Sequence, residues 1–216
     1  MPSRDPGCPI RHALEERALR QGEHLLHGPG AAVAMPGTIR GMKEQTSSRV
    51  LDGFWRTRIP GQIPENVVIA DELEGGVIEL EEHELTGVTL EHTDTHDTTC
   101  LHVSSIGLAV AGDAVYHGVH QLMAESDAEK RREWIAAVDR ISALNPRVVI
   151  AGHKRPGNSD GPHVLKETRQ YIRDFDRAVG TAKTARELFD RMLELHPQRM
   201  NVTTLWAPAR AAKGAD

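Results

Sequence analysis

Three short polar strings in this chain carry residue types that suit chemistry: H-T-D-T-H-D-T-T from His92 to Thr99, A-G-D-A-V-Y from Ala111 to Tyr116, and A-G-H-K from Ala151 to Lys154. Each comes near the end of a run rich in β-branched and aliphatic residues, so each delivers a histidine or a carboxylate to a strand end, where a buried sheet opens to solvent. Imidazole nitrogen and carboxylate oxygen are donors that zinc takes at about 2.0–2.2 Å, and a reactive site keeps one position open for water. Water held there falls from a pKa of about 15.7 to about 7, which makes hydroxide available at neutral pH. A ligating imidazole commonly gives its other N–H to a carboxylate or a carbonyl, a role open to Asp94, Asp97, Thr93 and Thr95.

The elements that must position these strings follow from hydrophobic period. Val67–Ala70, Gly76–Leu80, Leu85–His92, Thr99–Ser104 and Leu108–Ala111 are short, rich in Val, Ile, Leu and Thr, and bounded by Gly, Asp, Glu or Ser, which predicts strands. In the third, Val88, Leu90 and His92 share one face and Thr89 and Glu91 the other, so His92 projects from the apolar side. An unpaired imidazole there costs roughly 1–3 kcal/mol, so His92 is expected to hold a hydrogen bond or a metal. Ala128–Leu144 carries Trp134, Ile135, Val138, Ile141 and Leu144 on one helical stripe, and Val148–Ala151 is a buried strand that delivers Gly152-His153. Gly161-Pro162 opens another helix with Leu165, Thr168, Ile172, Phe175 and Val179 in register, and a last helix spans about Ala182–Leu195.

The first 30 residues differ from the rest, with a short amphipathic helix expected over Arg11–Glu23 and a turn at His27–Gly30. A strand at Ala31–Met35 and a helix at Thr38–Trp55 follow, and the tail from Ala207 is expected to fray. The chain of 216 residues suits one domain, 1–216.

Other readings of these residues stand beside the chemical one. Asp113 after Ala111-Gly112 could cap the next segment. Tyr116, His117 and His120 could line a pocket, Tyr116 and His120 as substrate contacts, or lie on a surface helix. His96 reads as an exposed loop residue, Cys100 as core, and Lys154-Arg155 either as an anion contact or as a loop pair facing water. Lys130-Arg131-Arg132 reads as a solvated helix face.

Together the three strings resemble the second half of the metallo-β-lactamase superfamily, with the likeness running roughly from Ala31 to Val179. The resemblance implies an α+β chain with the family's α/β/β/α sandwich, and His92, Asp113 and His153 as metal ligands. It implies zinc, or iron or manganese, and hydrolysis of an ester, lactone, thioester or related bond in a small-molecule substrate by metal-bound hydroxide. The family's H-x-H-x-D-H string does not occur here; His12, His24 and His27 lack its spacing. The expectation is therefore a curtailed N-terminal half and one ion rather than two. The alternative is an inactive family member acting as a binding or assembly subunit, with a homodimer or partner covering the sheet face that the missing half leaves bare.

Composition bounds the setting. Lys plus Arg number 26 against 31 Asp plus Glu, for a net charge of -5, which argues against a nucleic-acid surface. Hydrophobic residues make 39% of the chain and only eight are aromatic, so the core is mostly aliphatic. Cys8 and Cys100 form no C-x-x-C pair or disulfide framework, and no run of 18 apolar residues occurs, so a reduced cytoplasm and no membrane span are expected.

Overall fold

The computed structural model describes residues 32–214. The helix expected over Arg11–Glu23 and the histidines His12, His24 and His27 lie outside the described residues. Two short strands, β1 (Val33–Ala34) and β2 (Asp71–Glu72), pair in parallel at one edge of the fold. Between them run α1 (Pro36–Gln45) and a helical stretch, Ser48–Val50, Leu51–Trp55 and Arg56–Arg58, whose middle part is π-helical. Proline at the first position of α1 suits its fixed φ and missing N–H, and starts the helix two residues before the sequence pattern alone suggests.

The main sheet has five strands in sequence order: β3 (Val77–Leu80), β4 (His83–Glu91), β5 (Thr98–Val103), β6 (Leu108–His117) and β7 (Val148–Lys154). The first three pairings are antiparallel and β6–β7 is parallel, which requires a crossover. That crossover is α2 (Ala128–Ala143), started by Asp127, whose side chain accepts from the amides of Glu129 and Lys130. Three further helices follow: α3 (His163–Thr181), α4 (Ala185–Leu195) and α5 (Trp206–Lys213).

The core lies between one face of this sheet and the helices. Leu90, Cys100, Ala109, Ala111, Val115 and Val149 meet Trp134, Val138, Ile141, Tyr171, Ile172 and Phe175, with Leu188, Met192, Leu205 and Ala209 closing the far side. Small residues on β6 let the aromatic rings approach the sheet, and the Trp134 indole N–H donates to the Ala114 carbonyl at 2.8 Å. Cys100 is core, as expected, and burial pushes its thiol up to about 12.

Several expectations change. The segment 67–70 is not a strand; the pairing sits one step later at Asp71–Glu72. Strand β6 runs on past Ala111 to His117, because β7 pairs with its end through Tyr116–His153 and His117–Lys154. The tail does not fray: α5 buries Pro208 and Ala209, and the Trp206 ring meets Phe189 edge-on at 5.5 Å. Arg131 does not face water, since its guanidinium is buried against Asp176 at 2.5 Å and donates to the Ser126 carbonyl. Among the described residues, no helix is long and apolar enough to cross a membrane.

Candidate metal centre

The parallel end of β6 and β7 brings two of the three expected ligands together. His153 Nε2 lies 3.3 Å from Asp113 Oδ1, and both side chains are about half exposed, so the pair opens to solvent. Gly152 makes this approach possible. A Cβ on it would collide with Asp113 Oδ1 and sit 2.6 Å from the Gly112 carbonyl carbon. Tyr116 stacks on His153 at 4.8 Å between centroids and 29° between planes, which fixes the imidazole, and its hydroxyl donates to Asp94 Oδ2 at 3.4 Å.

Asp94 joins this group from the loop after β4. Its carboxylate is buried and accepts from the Thr95 amide at 2.8 Å. Burial first, and then the nearby charge of Asp113, push its carboxyl up to about 6. Two carboxylates near one histidine, one of them buried and resisting ionisation, form a donor set whose electrostatic penalty a cation would relieve. Asp113 and His153 are donor types that suit a divalent ion and already lie side by side, whereas Asp94 would have to move closer to join them.

His92 is not part of that cluster. Thr89 and Glu91 flank a register shift in the β4–β5 pairing, and Glu91 has φ +64°, so the chain turns out of the sheet at this point. His92 is 5% exposed and its Nε2 lies 3.1 Å from Ser126 Oγ, just before α2. Burial and then the Lys130 charge lower its pKa, so it stays neutral. The hydrogen bond expected for a buried imidazole is present, and Ser126 provides it.

Helix α1 braces the loop that carries Asp94. Arg40 pairs with Asp97 at 2.9 Å, the Thr38 and Thr99 hydroxyls are 3.2 Å apart, and a Cβ on Gly37 would come within 2.9 Å of Asp97. His96 is exposed, between Asp97 at 3.2 Å and Glu44 at 3.5 Å. His120, read as a substrate contact, is instead buried with Nδ1 2.9 Å from the Tyr171 hydroxyl. Lys154 is tied to Asp160 at 2.7 Å. Asp94 in the central cluster was legible only as a supporting residue, because its burial comes from packing that the string itself does not show.

A second group was missed altogether. Among the described residues, the one set of three His, Cys, Asp or Glu side chains whose ligand atoms all lie within 4.8 Å of one another is His117, His163 and Glu167. The sequence signal was the i,i+4 spacing of His163 and Glu167 on a helix; their partner lies 46 positions earlier, which no local pattern connects.

Comparison with known proteins bears on both groups. A model of the metallo-beta-lactamase superfamily matches residues 8–153, starting within the segment read as divergent and ending on His153. No curated protein sequence matches. Among solved structures, the chain is similar to a metallo-beta-lactamase family protein from Thermus thermophilus, at 19% identity and TM-score 0.53, covering 85% of this chain and 65% of that one. It is also similar to a beta-lactamase domain protein from Burkholderia ambifaria, at 15% identity and TM-score 0.53, covering 84% and 57%. A superfamily protein from the archaeon Sulfolobus tokodaii matches at 13% identity and TM-score 0.50, covering 86% and 73%. The chain thus spans less than two thirds of the first two, and at these identities the likeness is one of fold.

Proposed function

Because the chain belongs to the metallo-β-lactamase superfamily, we propose that it is a metal-dependent hydrolase of a small ester, lactone, thioester or related substrate, with one zinc, iron or manganese ion. The observation that carries this reading is the Asp113–His153 pair, 3.3 Å apart and open to solvent at the parallel end of the sheet. In this reading Asp113 and His153 would hold the ion, and Asp94, buried nearby, would have to shift toward them to serve as a third donor. His92, the third expected ligand, has its Nε2 engaged by Ser126 and could reach the ion only through Nδ1 or by giving up that bond. A divalent ion there supplies a Lewis acid that polarises a scissile carbonyl and acidifies water.

The chain's own residues do the rest. Tyr116 holds the His153 ring by stacking and steadies Asp94 through its hydroxyl. The test is elemental analysis of purified protein, with Asp113→Asn and His153→Ala, alongside a screen of esters and lactones. One tightly held ion lost in both variants, with turnover lost in parallel, is the expected result; a wild-type protein that takes up no added zinc, iron or manganese retires the reading.

A second reading rests on the exposed apolar side chains Phe54, Val67 and Val68, the last 73% exposed. It makes the chain an assembly subunit, or a homodimer, whose partner covers this region. A strictly monomeric species by light scattering overturns it.

A further inference from the structure

The structure assigns His117, His163 and Glu167 to a second site for a divalent transition metal, separate from the Asp94–Asp113–His153 cluster. Tyr116 and His117 are successive residues at the end of β6, so their side chains leave the strand in opposite directions. Tyr116 reaches His153 and Asp94, whereas the His117 ring lies edge-on to His163, with centroids 5.2 Å apart and planes at 81°. His163 and Glu167 stand one turn apart in the first turns of α3, so both project from one face of that helix toward the strand end.

Three observations converge. One ligand atom from each of the three residues falls within 4.8 Å of the others. Donors around a tetrahedral ion at about 2.0–2.1 Å stand roughly 3.4 Å apart, so modest side-chain rotation of the exposed His163 and Glu167 closes the set. Second, His117 is 7% exposed, yet its Nδ1 has no hydrogen-bond partner and its Nε2 stops 3.7 Å from Glu167 Oε2, beyond hydrogen-bond length. The ring is thus under-satisfied on the Nε2 side that faces Glu167, a desolvation cost that coordination through Nε2 would offset. Third, the donor set is right: two imidazoles and one carboxylate are the protein ligands of a common zinc arrangement that keeps a fourth position open.

His117 and Glu167 also line a cavity of about 380 Å³, which Arg155, Asn158, His196 and Arg199 complete. An open coordination position here has room beside it. The Asp113–His153 pair takes no part in this wall.

The experiment uses the full chain, stripped with chelator and titrated with zinc by calorimetry and with cobalt(II) by visible absorption. The variants are His163→Ala and Glu167→Gln at exposed helix positions, and a separate Asp113→Asn/His153→Ala double variant. Circular dichroism and thermal melts confirm that each variant folds. The expected result is two zinc equivalents in the wild type, of which one, with its cobalt band, is lost in His163→Ala and in Glu167→Gln but kept in the double variant. A stoichiometry and band unchanged by His163→Ala and Glu167→Gln overturn the inference while leaving the proposed hydrolase intact. Loss in those two variants with the double variant unaffected and no other equivalent bound supports the inference and sinks the hydrolase reading. No uptake by the wild type sinks both.

Discussion

The segment 32–80 and the segment 81–214 are built to different standards. In the first, Ala70 alone is buried, and its strands β1 and β2 have two residues each. In the second, a continuous core runs from Leu90 through Trp134 and Phe175 to Ala209. Both candidate metal sites draw their donors from the second segment, backed by that core, while the first contributes braces: Arg40 to Asp97 and Thr38 to Thr99. The difference teaches that the sheet face packed against α2 and α3 holds the donor groups in place, while α1 on the opposite face only steadies a loop. Ligands need rigid backing within reach of their own strands, and β6 and β7 carry that backing in their own register.

Breaking the packed side gives the largest effect. Trp134→Ala removes a fully buried indole and orphans the Ala114 carbonyl, and a loss of about 3–5 kcal/mol in urea unfolding is expected. A loss under about 1 kcal/mol would place the core elsewhere.

The next effect depends on pH. Burial first, and then Arg199 and His196, push His120 down to about 4, against about 6.5 in the unfolded chain. Between those values the unfolded chain binds more protons, so the stability present above about pH 6.5 is lost as pH falls toward 4, by roughly 3 kcal/mol in all. Asp94 acts with the opposite sign: its raised carboxyl makes the folded chain hold the extra proton, which lowers stability as pH rises through about 4 to 6. Urea midpoints at pH 7.5 and 4.5 for wild type and His120→Gln separate the two, since only the variant lacks the histidine contribution. An identical acid loss in both would show that His120 is not protected.

Helix caps sharpen the contrast at smaller scale. Asp127 accepts two backbone amides at 2.9 Å at the start of α2, and Asp127→Ala is expected to cost about 1 kcal/mol. Ser47 occupies the same kind of position in the looser segment without capping it, its hydroxyl donating instead to the Glu44 carbonyl, so Ser47→Ala should change the thermal midpoint little. Equal losses in the two would erase the distinction. The smallest effect is expected at Val68: Val68→Ser on that exposed position should stay within about 0.5 kcal/mol, and a change in oligomeric state on light scattering would mark the region as a contact face.

Much of this was readable from local pattern. The alternation of β4, the stripe of α2 and the apolar run of β7 each state their structure within ten or so residues, and the polar strings after them state where donors emerge. Asp113 and His153 were named as ligands by the family resemblance rather than by local pattern; His153 stands near the end of β7, while Asp113 lies within β6, which runs on to His117. His92 was legible as buried and in need of a partner, but the partner was not: the shift at Thr89–Glu91 and the approach of Ser126 are products of packing. His120 read as a pocket or surface residue and Arg131 as a solvated group because their partners, Tyr171 and Asp176, are 45 or more positions away.

What the sequence determined by itself was the set of elements and the chemistry available at their ends, because hydrophobic period and residue type are local properties. What only the tertiary structure decided was which donors share a site. The parallel pairing of β6 with β7 joins Asp113 to His153, and the docking of α3 on the end of β6 joins His117 to His163 and Glu167. Burial then sets Asp94 and His120 on opposite sides of their ordinary ionisation, since desolvation acts only where distant parts of the chain close over a group.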